Sequence, residues 1–358
     1  LKLERGISLS KSKINIALFF GGRSAEHEVS LLSARSIYNA FSKEKYEISP
    51  VAISKKGFFH SLEESKKILL GDKNKVPELD RENILDLKVL KVLEEKIDLV
   101  FPVLHGPYGE DGKIQGFLDT LNIKYVGCDL LSSAVGMDKA VMKEIFSYHN
   151  IPQSKFKVLK KEEFKNQNTL EIYNKFVEDL KVPFFIKPAN MGSSIGINIV
   201  KELSSFKAAL SEAFKYDNKI IIESNVKGRE IESAVIGKAD NIEVSAAGEI
   251  ISTHDFYDYQ AKYEDQSTEL IIPAEISNKS KEIIKELSIR AFKAIGAEGI
   301  SRLDFFVNEN ENMILVNEIN TMPGFTKFSM YPLLFKEVGI SYMELLDRLV
   351  NIALTEDK

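Results

Sequence analysis

The residues best equipped for chemistry lie between Gly299 and Phe325, in GISRLDFFVNENENMILVNEINTMPGF. Asp304 and Glu318 are carboxylates set among apolar neighbours, Asn320 follows Glu318 by one alternation, and Arg302 stands beside the first acid. Two carboxylates and an amide oxygen, with no Cys or His nearby, are hard donors that suit Mg2+ or Mn2+ rather than zinc. Magnesium keeps several of its waters and is usually shared with substrate phosphates, so such a set implies a nucleoside triphosphate more than a structural ion. The plainer alternative is a hairpin with exposed acids.

Other candidates are spread along the chain. Lys187 precedes the Gly/Ser-rich turn Asn190-Met191-Gly192-Ser193-Ser194-Ile195-Gly196. Its backbone N–H groups and hydroxyls can cradle phosphate while the lysine supplies charge; the spacing is not that of a Walker loop. Glu26 and Glu28 fall in a first helical turn, as helix stabilisers or as a carboxylate gripping a substrate ammonium. His105 opens the glycine-dense loop His105–Gly112 and is either structural or part of a site. Glu223 and Glu230 flank Ser224-Asn225-Val226, a connector able to meet an adenine edge through its backbone and ribose through its acids. Lys139 alone reads as a solvated helix lysine. Phe256–Tyr263, with Lys262, packs three tyrosines into a loop of no apolar period, which suits a lid over a closed site.

The elements that must hold these residues follow from pattern. Residues 14–20 are a buried-strand run into Gly21-Gly22, followed by a helix with Val29, Leu32, Ile37, Ala40 and Phe41 on one face. Strand, glycine turn, helix presents a helix N-terminus to a ligand; without G-x-G-x-x-G, no nicotinamide cofactor is indicated. Residues 97–104 read as a further strand ending at His105, residues 124–127 as a short last strand, and one helix from Ser132 is expected to carry Met137-Asp138-Lys139 and Lys143. Leu303–Val307 and Met313–Asn320, separated by the polar tract Asn308–Asn312, are a hairpin. Alternation puts Glu318 and Asn320 on one face, where a neighbouring strand can bring Asp304 beside them.

At 358 residues the chain has room for two or three domains. Its net charge of -5 argues against a nucleic-acid partner. A single cysteine, Cys128, excludes an internal disulfide framework and fits a reducing compartment. No apolar run reaches the ~18 residues of a membrane span. The segment LKLERGISLSKSK lacks a signal-peptide core, so a cytoplasmic location is expected.

With these pieces in order, the chain resembles the D-alanine:D-alanine ligases of the ATP-grasp superfamily. GGRSAEHEVSL, LHGPYGEDGKIQG, MDK, IKPANMGSSIG, FYDYQAKY, SRLDFF and NEINTMPGFT span roughly Ile14 to Ser329, and their joint order is far more specific than any one of them. The resemblance implies an α/β chain: an extension over 1–13, a Rossmann-like substrate domain over 14–130, and an ATP-grasp fold with a central domain over 131–226 and a C-terminal domain over 227–358. It implies that Lys139 and Lys187 meet ATP phosphates over the Ser193-Ser194 turn, that Glu223, Val226 and Glu230 hold adenine and ribose, and that Asp304, Glu318 and Asn320 bind two Mg2+, with Mn2+ as a substitute. Glu26 would fix the ammonium of the first D-alanine within a hydrogen-bonded group with Ser193 and Tyr263, and His105 would lie near its carboxylate. Arg302 and the Gly324 N–H would stabilise an oxyanion, while Lys262 and Ser329 would meet phosphate or the second D-alanine. The partners implied are ATP and D-alanine, with a homodimer as the family's assembly and no nucleic acid or membrane.

The implied activity is ligation of two D-alanines through an acyl phosphate, for peptidoglycan precursors. Rivals are a D-alanyl-D-lactate or D-alanyl-D-serine ligase, against which Tyr263 in its Ala-Lys-Tyr context speaks, and another ATP-grasp ligase, which the two N-terminal glycine motifs disfavour. A nucleotide-binding regulator is disfavoured because the ligands, lysines and arginine are all present. Two departures stand out: Gln260 occupies a position where many relatives carry Glu, and the first dozen residues extend past the family's usual start.

Overall fold

A computed structural model describes residues 13–71, 75–78, 97–165, 168–251 and 269–355. They form a mixed α/β structure with three sheets. The first is parallel, in the order β2-β1-β3, from β1 (Ile14–Gly21), β2 (Tyr46–Ile53) and β3 (Leu99–Val103). Its central strand is the apolar run of the N-terminus, buried along its last six residues, as expected where both faces of a parallel sheet are covered. Gly21 ends β1 in the left-handed region (φ +92°), and a Cβ there would come within 2.2 Å of the Ile53 carbonyl oxygen, so only glycine lets the chain turn at this point.

Three local expectations are corrected. Leu32 of α1 (His27–Ala40) is 41% exposed, and the inner stripe is instead Val29, Leu31, Ala34 and Ile37. Serines take the innermost places: Ser30 Oγ accepts from Gly21 N (2.7 Å) and donates to the Val103 carbonyl, which rotates Leu32 outward. Residues 124–127 form only an isolated parallel bridge, Val100 with Tyr125, before Gly127 turns the chain at positive φ. The single helix expected from Ser132 is two, α4 (Leu130–Met137) and α5 (Lys139–Tyr148), because the Asp138 carboxylate accepts from Ala140 N and Val141 N and so starts a new helix. Helices α2 (Leu62–Leu70) and α3 (Lys113–Thr120) complete the N-terminal part.

The second sheet is antiparallel, β4-β7-β5-β6, from β4 (Phe156–Lys160), β5 (Phe184–Pro188), β6 (Asn198–Val200) and β7 (Lys219–Ser224). With α6 (Lys161–Lys165), α7 (Thr169–Leu180) and α8 (Leu203–Tyr216) it has its own core, in which Phe176, Phe184 and Phe206 meet edge to face. The third sheet runs β10-β9-β8-β11-β12, from β8 (Arg229–Lys238), β9 (Asn241–Ile251), β10 (Glu269–Ile271), β11 (Gly299–Asn308) and β12 (Met313–Asn320). One of its faces packs on α4, α5 and α9 (Asn278–Ala294). Its other side joins the parallel sheet in a common core through α10 (Met330–Glu337) and α11 (Tyr342–Leu354), where fully buried Tyr331 donates its hydroxyl to the Val235 carbonyl at 3.0 Å. Among the described residues no helix is long and apolar enough to cross a membrane.

Candidate active site

The β11–β12 hairpin places its acids as alternation requires. Asp304 pairs across the ladder with Glu318 and Arg302 with Asn320, so four polar side chains occupy two neighbouring rungs of one face. On the other flank Asp304 faces Glu232 of β8, adding a third carboxylate to the row. The Arg302 guanidinium grips Asp304 twice, Nε to Oδ1 at 2.7 Å and Nη2 to Oδ2 at 2.8 Å, and Nε also lies 3.0 Å from Glu232 Oε2. Burial opposes the Arg302 charge, but Asp304 and then Glu232 hold its pKa well above the usual value. Asn320 Nδ2 donates to Asp304 Oδ2 at 3.1 Å.

This face carries more acid than base. Glu230 lines the same cavity, and burial, followed by the charge of Asp304, pushes its carboxyl above the usual range despite Lys187. A divalent cation would relieve that excess, and Asp304, Glu318 and Asn320 offer only oxygen donors once the Asn amide turns its oxygen inward. The residues therefore fit such an ion. Among the described residues no group of three or more His, Cys, Asp or Glu has metal-holding geometry.

Opposite the hairpin, two lysines enter from different elements. Lys139, first residue of α5, donates to the Met191 carbonyl at 2.8 Å and lies 3.5 Å from Glu318 Oε2. Lys187, near the end of β5, pairs with Glu223 Oε2 of β7 at 2.6 Å. Beneath them Lys143 Nζ reaches Glu223 Oε1 at 2.8 Å and Ser154 Oγ at 3.1 Å, and Ser154 in turn donates to the same carboxylate oxygen at 3.0 Å. Burial would raise the Glu223 pKa, yet Lys143 and Lys187 together hold it well below the usual range. The two lysines respond oppositely: burial dominates at walled-in Lys143 and lowers its pKa, whereas at Lys187 the pull of Glu223 overcomes burial and raises it.

A cavity of about 300 Å³ is lined by Lys139, Lys187, Ser193, Ser194, Glu223, Val226, Glu230, Arg302, Asp304 and Glu318, which gathers most of the residues expected from the sequence. Ser193 and Ser194 both adopt left-handed backbone, φ +49° and +57°, a conformation that costs L-residues about 1–2 kcal/mol each and turns successive N–H groups toward one side. Ser193 Oγ is buried without a hydrogen-bond partner among the described residues. Ser193 also borders a second cavity with Glu26, Arg23 and Tyr108. Glu26 directly precedes α1, and its Oε2 would lie 2.9 Å from a Cβ on Gly106 and 3.6 Å from one on Gly192, so the carboxylate sits between the two glycine loops.

Arg302 links the first cavity to a third one, which holds Gly324 and Ser329. Ser329 Oγ bonds Thr326 N at 3.0 Å and Thr326 Oγ1 at 2.8 Å, fixing the turn after Gly324. His105 lines none of these three cavities. Its ring is buried, with Nε2 3.1 Å from Ser33 Oγ and Nδ1 3.1 Å from the Met322 carbonyl, and so ties α1 to the turn that carries Gly324. Lys262 and Tyr263 lie outside the described residues. Ser154 and Glu232 line the first cavity and Lys143 lies behind it against Glu223; the sequence reading gave none of the three a role. Lys143 had a legible signal, since it falls on the apolar face of α5 with Ala140, Met142 and Phe146.

Residues 15–128 match the D-ala D-ala ligase N-terminus family and residues 145–351 the D-ala D-ala ligase C-terminus family. The chain is 48% identical to the D-alanine–D-alanine ligase of Halothermothrix orenii, with 96% of this chain and 99% of that one covered. It is 44% identical to the ligase of the same name from Geobacillus thermodenitrificans, with 96% of each covered. Among solved structures, the VanG D-Ala:D-Ser ligase of Enterococcus faecalis superposes with a TM-score of 0.81 at 33% identity, covering 96% of this chain and all of that one. The D-alanine-D-alanine ligase of Coxiella burnetii gives 0.80 at 31% identity, covering 96% and 94%.

Proposed function

The chain belongs to the D-ala D-ala ligase family, and from that premise we propose how its residues perform the family's reaction. The enzyme joins two D-alanine molecules at the expense of ATP, giving D-alanyl-D-alanine, ADP and phosphate for cell-wall synthesis. The parallel sheet is read as a Rossmann-like substrate domain over 14–130, with the central and C-terminal ATP-grasp domains over 131–226 and 227–358. ATP occupies the cavity between the second and third sheets. Its phosphates meet Lys139, Lys187 and the Ser193-Ser194 turn, while its base and ribose meet the Val226 backbone, Glu223 and Glu230.

A carboxylate is a poor electrophile. The first D-alanine is therefore phosphorylated: a carboxylate oxygen attacks the γ-phosphorus, ADP leaves, and a D-alanyl phosphate forms. Glu26 holds the ammonium of this substrate beside Ser193, with His105 on the carboxylate side. Asp304, Glu318 and Asn320 would hold two Mg2+, which offset charge on the transferring phosphoryl group when bound. The amine of the second D-alanine, seated near Ser329, then attacks the acyl carbon. Arg302 and the Gly324 N–H stabilise the tetrahedral oxyanion, its collapse expels phosphate, and the amine loses a proton. Because an acyl phosphate hydrolyses, Tyr263 is assigned a part in excluding water.

The observation that supports this reading most is the pair of rungs Asp304–Glu318 and Arg302–Asn320, facing two lysines across one cavity. A homodimer in the cytoplasm is the assembly and location proposed. The structural likeness to a D-Ala:D-Ser ligase favours D-serine as the second reading for the acceptor. The test is phosphate release from MgATP with D-alanine alone, against L-alanine and against D-alanine mixed with D-serine or D-lactate, with product identified by mass. A D-alanyl-D-alanine mass supports the reading; a mixed product as the main species replaces it with the second; no release with D-alanine refutes it.

A further inference from the structure

Lys143 touches none of the ligands proposed above, and its side chain is only 1% exposed. A buried ammonium is costly unless paired and hydrogen-bonded, and Lys143 is both. It donates to Glu223 Oε1 at 2.8 Å and to Ser154 Oγ at 3.1 Å. The other carboxylate oxygen, Oε2, holds Lys187 at 2.6 Å, and Lys187 borders the cavity assigned to ATP. One carboxylate is thus shared by two ammonium groups, one sealed beneath it and one facing the cavity.

The charge count gives the arrangement a purpose. If Glu223 faced Lys187 alone, the pair would be neutral, and a polyphosphate would have to compete with the carboxylate for the lysine. With Lys143 satisfying the far oxygen, the group of three carries a net positive charge whose only outlet toward a ligand is Lys187. We propose that Lys143 is a positioning residue for nucleotide binding: it anchors and neutralises Glu223 from below, so that the Lys187 ammonium stays in place and retains its attraction for the ATP polyphosphate. This rests on reading the cavity as the ATP site.

The test compares binding of ATP and of adenosine, which has no phosphate, to the full-length protein by titration calorimetry. In Lys143→Met the ratio of ATP to adenosine affinity is expected to fall about tenfold, equivalent to about 1.4 kcal/mol. In the double variant Lys143→Met with Glu223→Gln, which removes the neutralising carboxylate as well, the ratio is expected to return to within about threefold of the wild type. An unchanged ratio in Lys143→Met, or affinities for ATP and adenosine that fall in step, overturns the proposal by showing that Lys143 only supports the pocket wall. Should Lys143→Met fail to fold, the double variant, which retains neither charge of that pair, decides alone: a tenfold loss in its ratio overturns the proposal. If the wild type binds no ATP, the reading of the cavity fails, and the role of Lys143 with it.

Discussion

Replacing Arg302 by Lys keeps the charge and removes the fork. In the native geometry two parallel N–H donors grip Asp304 at 2.7 and 2.8 Å while Nε also lies 3.0 Å from Glu232. An ammonium is a point charge on a flexible stem, so it can keep one of these carboxylates but cannot hold the planar bidentate grip. Losing one charge-assisted hydrogen bond in a buried site should cost about 1.5–3 kcal/mol of stability. The oxyanion loses a donor aimed by that grip, which should lower kcat by about 10²–10³, or 2.7–4 kcal/mol. The two effects separate by measurement: urea unfolding gives the first, and ADP release at saturating ATP and D-alanine gives the second, under conditions where the variant is fully folded. ATP affinity should change little, since lysines and the glycine-serine turn carry the phosphates. A folded Arg302→Lys enzyme with kcat within tenfold of the wild type would refute the assignment of the oxyanion to Arg302. So would a loss of rate matched entirely by a loss of ATP affinity.

Other outcomes are expected from the same geometry. Glu318→Gln should weaken Mn2+ binding, read by electron paramagnetic resonance, and cut turnover at least about tenfold with the melting temperature nearly unchanged; unaltered Mn2+ affinity would remove Glu318 from the metal set. Gly106→Ala places a methyl group 2.9 Å from Glu26 Oε2 at a position with φ +74°; stability should drop by about 1–2 kcal/mol and the KM for the first D-alanine should rise several-fold, and a normal KM would show that Glu26 is not held there. The Glu223 pKa is depressed in the folded state, so its contribution is complete above the ordinary carboxylate value of 4.5 and fades as pH falls below it. Glu223→Gln should therefore flatten the acid limb of the stability curve below that pH, and an unchanged limb would contradict the buried pairing. Burial pushes the Cys128 thiol up to about 11, so a thiol reagent at pH 8 should label it only after denaturation; rapid labelling of the native protein would mean that the core around it opens.

The parts of the site legible in sequence are those where a local pattern dictates placement. Asp304, Glu318 and Asn320 could be read onto one face because strand alternation has a fixed period, and the polar tract between the two runs identified the hairpin. Lys187 and the Ser193-Ser194 turn were readable because the residue types carry their chemistry with them. What escaped the reading depends on which element lies across the gap. Glu223 reads as an acid beside a connector able to meet ribose, and only the approach of α5 under β7 reveals that Lys143 reaches its carboxylate. Glu232 shares its parity with Glu230, but nothing local says that β8 lies beside β11 with Glu232 opposite Asp304. Leu32 was placed inward on hydrophobicity alone, whereas Ser30 took the inner position by satisfying a strand-end N–H and a carbonyl. Asp138 was read through as helix because its capping geometry depends on a backbone break that periodicity does not show.

The pairing of β11 with β12 is interrupted directly beyond the second rung of the site. Asp304 faces Glu318, but Phe305 faces Val316, leaving Asn317 as the extra residue. The ladder on the turn side, from Phe305 to Asn308, is therefore set by its own count, one step out of phase with the rungs that carry Arg302, Asp304, Glu318 and Asn320. Gain or loss of residues at the 309–312 turn should be absorbed on the far side of the bulge without inverting the face on which Asp304, Glu318 and Asn320 stand. The same change between Arg302 and Asp304, or between Glu318 and Asn320, has no such buffer: it would turn one of these polar side chains to the opposite face of the sheet.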